Sequence, residues 1–275
     1  MPTQLEQAER FRALHAGPAS FVIANVWDGG SAAIMAGLGF PALATSSAAC
    51  AATLGRLDGQ ITRTQALAHA RQIIAATALP VSADLENGFG AAPEAVAQTV
   101  RLAAEAGLVG GSIEDASGDE RAPIYGFAHA VERIHAAVEA VRGLPFPFVL
   151  TARAENFIHG VTDLDDTVRR LQAFEEAGAD VLFAPCLPDI AAVRTVCAAL
   201  KKPVNFMVGV PGASFSVAEL TAAGVRRISL STTLYRAAMT GLLAAGKEVK
   251  EAGTFTYLGT IMRGADLGRY LDGKS

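Results

Sequence analysis

Eight short apolar runs recur along the chain, each followed by a longer stretch in which apolar residues return every three or four positions. The runs are FVIANVW (21–27), ALATSS (42–47), PVSADLE (80–86), GGSIED (110–115), PFVLTAR (147–153), ADVLFAP (179–185), PVNFMV (203–208) and VRRISLS (225–231). Between them the helical period is plain in 162–178, where Leu164, Val168, Leu171, Phe174 and Ala177 share one face while Asp165, Asp166, Arg169 and Arg170 stay off it. Thr162 is placed to cap the start of that helix and Gly178 its end. The triplet EAG at 105–107 and 176–178, and AAG at 222–224, repeats the same stop signal just before a run. Alternation of this kind is βα repetition. Eight units without a Pro/Gly/Ser-rich linker or a break in composition favour one α/β domain, a (β/α)8 TIM-type barrel over residues 1–275. A doubly wound sheet would leave two strands unplaced. Residues 3–16 form an extra N-terminal helix, and 246–275 a C-terminal helical tail. With Phe255, Tyr257, Leu258, Ile261 and Met262, that tail needs cover from the barrel or another subunit.

Composition narrows the partners more than the fold. The formal charge is −4, and the 23 lysines and arginines are scattered, which predicts neither a nucleic-acid footprint nor a basic membrane anchor. Gly29 to Gly55 carries no charge, but Gly39-Phe40-Pro41 interrupts it, so it reads as buried helix, turn and strand rather than a membrane span. The charged N-terminal residues do not suit a signal peptide, and the expected location is the cytoplasm. Cys50, Cys186 and Cys197, odd in number and widely spaced, are expected to be reduced thiols.

In a barrel of this class the chemistry sits at the C-terminal ends of the strands, and here those ends are polar. Asp84 and Glu86 stand at i and i+2, which on an extended strand turns both to one face, and Glu114 arrives from the next strand. Three acids in one volume require protonation or a cation, and an oxygen-only set suits Mg²⁺ or Mn²⁺; capping and pairing with arginine are the structural alternative. Arg153 offers a planar fork for a carboxylate or enolate oxygen, or else an ion pair with Glu114 or Glu155. Ser46 and Ser47 could bind a carboxylate or simply form the turn into a helix. Cys186, at the same rim, could donate a proton, and Asp119, Glu120, Arg121 and Tyr125 lie where a gating loop would close.

The ordered series NVWDGGSA (25–32), ALATSSAACAATLGRLD (42–58), SADLENGFG (82–90), SIEDAS (112–117), TARAENF (151–157) and PVNFMVG (203–209) resembles the isocitrate lyase and phosphoenolpyruvate mutase superfamily over roughly residues 15 to 245. The resemblance implies a barrel whose eighth helix is swapped between subunits of a homodimer or homotetramer. It also implies a Mg²⁺-dependent site for 2-oxo or 2-hydroxy (di)carboxylates such as oxaloacetate or 2-oxoglutarate. Asp84 would be the principal metal carboxylate, Glu86 and Glu114 would hold the metal directly or through water, and Asp58 would lie close by. Ser46, Ser47 and Ala48 would line the substrate carboxylate, Arg153 would contact its oxygens and Asn205 its far end. The implied chemistry is C–C cleavage or decarboxylation through a metal-stabilised enolate. The alternatives are P–C mutase or hydrolase chemistry on phosphonopyruvate, or a 2-oxo acid binding protein with little turnover. The loop EDASGDERAPIYGF (114–127) lacks the Lys-Arg-Cys-Gly motif of the isocitrate and methylisocitrate lyases, and also the Lys and Asn of the mutases.

Overall fold

The computed structural model describes residues 2–209 and 214–273. Its strands are β1 (Phe21–Asn25), β2 (Leu43–Ala44), β3 (Val81–Asp84), β4 (Gly110–Glu114), β5 (Val149–Arg153), β6 (Val181–Phe183), β7 (Val204–Met207) and β8 (Arg227–Ser229). They pair in parallel and in chain order, and β8 closes on β1. Each lies inside one of the eight apolar runs, but shorter than the run, because the polar residues at the C-terminal ends turn into loops and caps. Ser46, for example, leaves β2 to cap α3.

The helices are α1 (Gln4–Ala16), α2 (Gly29–Gly37), α3 (Ser47–Thr53), α4 (Arg63–Ala75), α5 (Pro93–Glu105), α6 (Phe127–Arg142), α7 (Leu164–Ala177), α8 (Ile190–Ala199), α9 (Val217–Ala222), α10 (Thr233–Ala252) and α11 (Gly264–Leu271). Asp28 caps α2 through the Ser31 N–H, and Gly178 ends α7 in the left-handed conformation. Two expectations need correction. The N-cap of α7 is Asp163, not Thr162, and its carboxylate accepts from the Asp166 N–H at 2.9 Å. Arg170 is not on the solvent face of α7 but buried, where it meets Asp115. The charge-free stretch 29–55 is α2, β2 and α3, and no helix among the described residues is long and apolar enough to cross a membrane.

The barrel interior is built in two layers. Phe21, Ile23, Ala44, Val149 and Val181 fill the lower one, and α1 closes it from below with Phe11, which is fully buried. This closure explains Gly110 of β4, where a Cβ would lie 2.7 Å from the Phe11 ring, while Gly111 on the opposite face makes room for Leu85. Above it the inward residues turn polar, with Asn25, Thr45, Ser82, Ser112, Asn205, Arg227 and Ser229 around a cavity. Outside, the helices cover the strands through one continuous apolar core.

At the other end of the chain, α10 leaves the barrel with no buried residue. It extends to Ala252, further than the expected start of the tail at 246. Leu242 and Leu243 are 66% and 59% exposed, and Phe255, Leu258, Ile261 and Met262 beyond them are also exposed. Further on, α11 returns to lie near α2.

His15 on α1 is buried between Phe11 and Phe21, edge-on to both rings. Its Nδ1 lies 2.8 Å from the Phe11 carbonyl and so carries the proton, while Nε2 is buried without a partner. Burial, followed by the charges of Arg227 and Arg226, pushes its pKa down to about 3. Between that value and the unfolded value near 6.5, only the unfolded chain takes up this proton, so the residue costs stability as pH falls through that window. His15→Phe should therefore remain folded to higher urea than the wild type at pH 5, by about 2 kcal/mol relative to their difference at pH 7.5. An unchanged difference between the two pH values would refute the assignment.

Candidate active site

Arg153 closes β5 and projects into the mouth of the barrel. One guanidinium nitrogen, Nη1, lies 3.0 Å from Asp84 Oδ1 and 3.1 Å from Glu114 Oε2, and Nε lies 2.9 Å from Glu155 Oε1. Its guanidinium also stands over the Phe183 ring, 5.1 Å from the centroid. Burial works to lower its pKa, but Glu155, Glu114 and Asp84 outweigh that and hold it well above the ordinary value. The structural alternative raised by the sequence is thus realised, since Arg153 pairs with acids from three strand ends. It still lines the cavity, so it is oriented and not consumed.

Asp84 is fixed from several sides. Its Oδ2 accepts from the Ser47 N–H at 3.1 Å, and its Oδ1 accepts from Arg153 and from the Glu86 N–H. Ser46 caps α3, the Ser47 hydroxyl interacts with Asp58, and Ser46, Ser47, Ala48 and Asp58 all line the cavity. Asp58, on the exposed loop after α3, has a pKa raised by partial burial and by Asp84, against the hydrogen bond from Ser47. Asn205 lines the same cavity and donates to Ser229 Oγ at 3.0 Å.

Glu86 departs from the extended geometry expected of it. The strand ends at Asp84, and Glu86 sits at φ 49°, in the left-handed region, as do Phe89 and Cys186 at the same rim. The Glu86 carbonyl accepts from the Glu114 N–H, which holds the two loops together. Gly88 makes the next turn at φ 81°, where a Cβ would press on Val96. Burial first, then Asp84 and Asp58, push Glu86 up to about 7, and its Oε1 is buried without a hydrogen-bond partner. Burial likewise raises Glu114, against the pull of Arg153.

Among the described residues no three His, Cys, Asp or Glu side chains form a ready-made metal cage. Mg²⁺ does not need one, because it keeps several waters and takes one or two carboxylates plus substrate oxygens. The residues fit such an ion: the donors are all oxygen, Asp58, Asp84 and Glu86 repel one another, and Glu86 Oε1 has an unmet lone pair.

A second set of buried charges lies behind Arg153. Asp115 accepts from the Glu155 N–H at 2.8 Å and from Arg170 at 3.0 Å, and Arg170 in turn bonds Asp166 and the Tyr125 carbonyl. This network ties α7 to the ends of β4 and β5. In the loop 116–125, Ala116 bridges Ile124 and Ser117 N–H donates to the Pro123 carbonyl, so the loop closes on itself. Asp119, Glu120 and Arg121 face solvent on its outer side, while Ser117 and Tyr125 face a groove shared with Glu86, Glu114 and Glu155. Cys186 lines a separate hollow with Phe157 and Leu164, and burial raises its thiol. Cys50 and Cys197, both raised to about 11 chiefly by burial, act as core residues. Sequence reasoning missed Arg227 altogether, though the period of two in VRRISLS would have turned one of its arginines inward.

The cavity is small, about 220 Å³, and combines Arg153 with Asp58, Asp84 and a ring of hydroxyl and amide groups, while Glu86 and Glu114 line the adjoining groove instead. Known proteins resemble this chain in sequence and in fold. The family model described as phosphoenolpyruvate phosphomutase matches residues 11–250. An oxaloacetate decarboxylase of Bradyrhizobium diazoefficiens is 33% identical over 203 residues, covering 71% of this chain and 69% of that protein. A 2-methylisocitrate lyase of Escherichia coli is 32% identical, over 72% and 69% respectively. A crystal structure from Burkholderia cenocepacia, described only as a lyase/mutase, superposes with a TM-score of 0.95 at 52% identity, covering 97% of this chain and 96% of that one. The chain belongs to the phosphoenolpyruvate phosphomutase family, within the isocitrate lyase and phosphoenolpyruvate mutase superfamily.

Proposed function

We propose that the protein is a Mg²⁺-dependent carbon–carbon lyase acting on a small 2-oxo dicarboxylate, with oxaloacetate decarboxylation as its first candidate reaction. The observation that carries this reading is Arg153 held by Asp84, Glu114 and Glu155 beside the unpartnered carboxylate oxygen of Glu86. Asp84 and Glu86 would hold the ion, with Glu114 and Asp58 reaching it through water. Bound there, Mg²⁺ would supply Lewis acidity to the 2-oxo group. Ser46, Ser47 and Ala48 would orient the 1-carboxylate. Arg153 would place positive charge where the enolate oxygen develops as C3–C4 breaks. CO2 would leave without the bonding electrons, and the enolate would take a proton at C3 to give pyruvate. Decarboxylation is favoured over aldol-type cleavage by the loop 116–125, which has no cysteine or lysine and turns its charged residues outward. Three cysteines without a disulfide among the described residues accord with a reducing, cytoplasmic setting.

A Mg²⁺-dependent assay across oxaloacetate, isocitrate, methylisocitrate, dimethylmalate and phosphonopyruvate tests the reaction. Pyruvate should form from oxaloacetate well above the rate with Mg²⁺ alone, and Asp84→Asn should lower that excess by about 100-fold or more. Phosphate release from phosphonopyruvate, or turnover that survives EDTA, would overturn the reading.

Arg153→Met leaves three buried carboxylates without their cation, and should lower the unfolding free energy by roughly 3–5 kcal/mol. Added Mg²⁺ should restore part of that loss in a urea titration, because it supplies the missing charge. Restoration equal to the wild-type response to Mg²⁺ would count against a cation site among these acids.

The exposed apolar residues of α10 accord with a homodimer or dimer of dimers in which that helix packs against a second copy of the chain. Light scattering should give a dimer or tetramer for the wild type and a smaller species for Leu242→Glu/Leu243→Glu. A monomeric wild type would refute the assembly.

A further inference from the structure

Beneath the mouth of the cavity lies a second cation that the proposed chemistry does not use. Arg227 points inward from β8 and is 5% exposed. Its Nε donates to Asn205 Oδ1 at 2.8 Å and its Nη2 to Thr151 Oγ1 at 2.9 Å, while Nη1 is buried with no partner. Among the described residues no carboxylate lies within ion-pair distance of it, whereas Arg153 has three. The cavity wall also carries the neutral Asn25, Thr45, Ser82, Ser112 and Ser229, and its acids, Asp58 and Asp84, make no ion pair with Arg227. Neutral oxygens solvate a guanidinium but cannot cancel its charge, so the cavity floor carries an uncompensated positive charge, costly in the absence of an anion. Burial and Arg153 lower its pKa only to about 9, so it is charged at neutral pH, and the same charge helps keep His15 neutral below it.

Arg227 also settles the orientation of Asn205. The Nε–H can only donate, so it must face the amide oxygen, and the Asn205 Nδ2, which gives one hydrogen to Ser229 Oγ, keeps a second N–H to offer a ligand. A cation and a donor amide thus act in series beneath Arg153, since Thr151, which Arg227 bonds, stands two residues before Arg153 on β5.

We propose that Arg227 is a specificity-determining positioning residue: it fixes Asn205 as a hydrogen-bond donor and supplies the positive potential that selects ligands carrying a second carboxylate over monocarboxylates of the same length. This rests on the reading of the cavity as a 2-oxo or 2-hydroxy acid site, and extends it to the far end of the ligand.

Malate and 2-hydroxybutyrate differ only in a carboxylate or a methyl at C4, which makes them a direct probe. Calorimetric titration in Mg²⁺ should show the wild type preferring malate by on the order of 50-fold. Arg227→Met should weaken malate by on the order of 30-fold and change 2-hydroxybutyrate by about 3-fold or less, with Arg227→Lys recovering part of the preference. Asn205→Asp guards against a variant that does not fold. It pairs the cation internally, so it should raise the melting temperature while abolishing the preference for malate. Equal weakening of both ligands by Arg227→Met, or a preference that survives Asn205→Asp, would overturn the proposal. A wild type that binds both ligands alike would also overturn it and leave the lyase reading standing. Mg²⁺-independent binding of both would count against that reading instead.

Discussion

The site depends on the balance between one guanidinium and the acids drawn around it. Arg153 stands at the end of β5, where Asp84 from β3, Glu114 from β4 and Glu155 from its own loop converge on it. Without that cation the three carboxylates would repel one another in a poorly solvated volume, and the ends of three adjacent strands would have no common anchor. The balance is deliberately incomplete on the acid side. Glu86 lies just outside the pairing, raised to about 7 and with a buried oxygen unmet, and this local excess of negative charge suits a divalent ion.

Its rigidity comes from further out. Asp115 receives the backbone N–H of Glu155 and the side chain of Arg170, and Arg170 reaches Asp166 on its own helix. Arg153 is therefore aimed by a chain of charge-assisted hydrogen bonds that ends on α7. Left-handed backbone at Glu86 and Cys186 adds strain at the same rim, where surrounding structure holds residues in conformations they rarely choose.

The barrel was legible in the sequence because its period is strong. All eight apolar runs contain a strand, and Gly178 ends α7 where it was expected. The candidate site was legible as a set of strand ends, and Ser46, Ser47, Ala48, Asp58, Asp84, Arg153 and Asn205 do meet around one cavity. What local pattern could not supply was backbone departure from the strand, as at Glu86, and partners distant in the chain. Arg170 reads as a solvent residue on an amphipathic helix until Asp115, 55 residues away, is brought beneath it. Arg227 was overlooked for a similar reason, since its meaning comes from the acid it lacks.

The plug formed by α1 closes the lower end of the barrel. Among the described residues, Phe11 and the apolar layer above it fill that end, so substrate and products are expected to cross the upper rim. A cleavage that yields two fragments would then have an inherent order of departure: the fragment lying outermost leaves first, and the one lodged against the floor waits behind it. Traffic through the mouth, beside the self-closed loop 116–125, thereby becomes part of the kinetic design, and the helix that seals the far end helps set it without touching the chemistry.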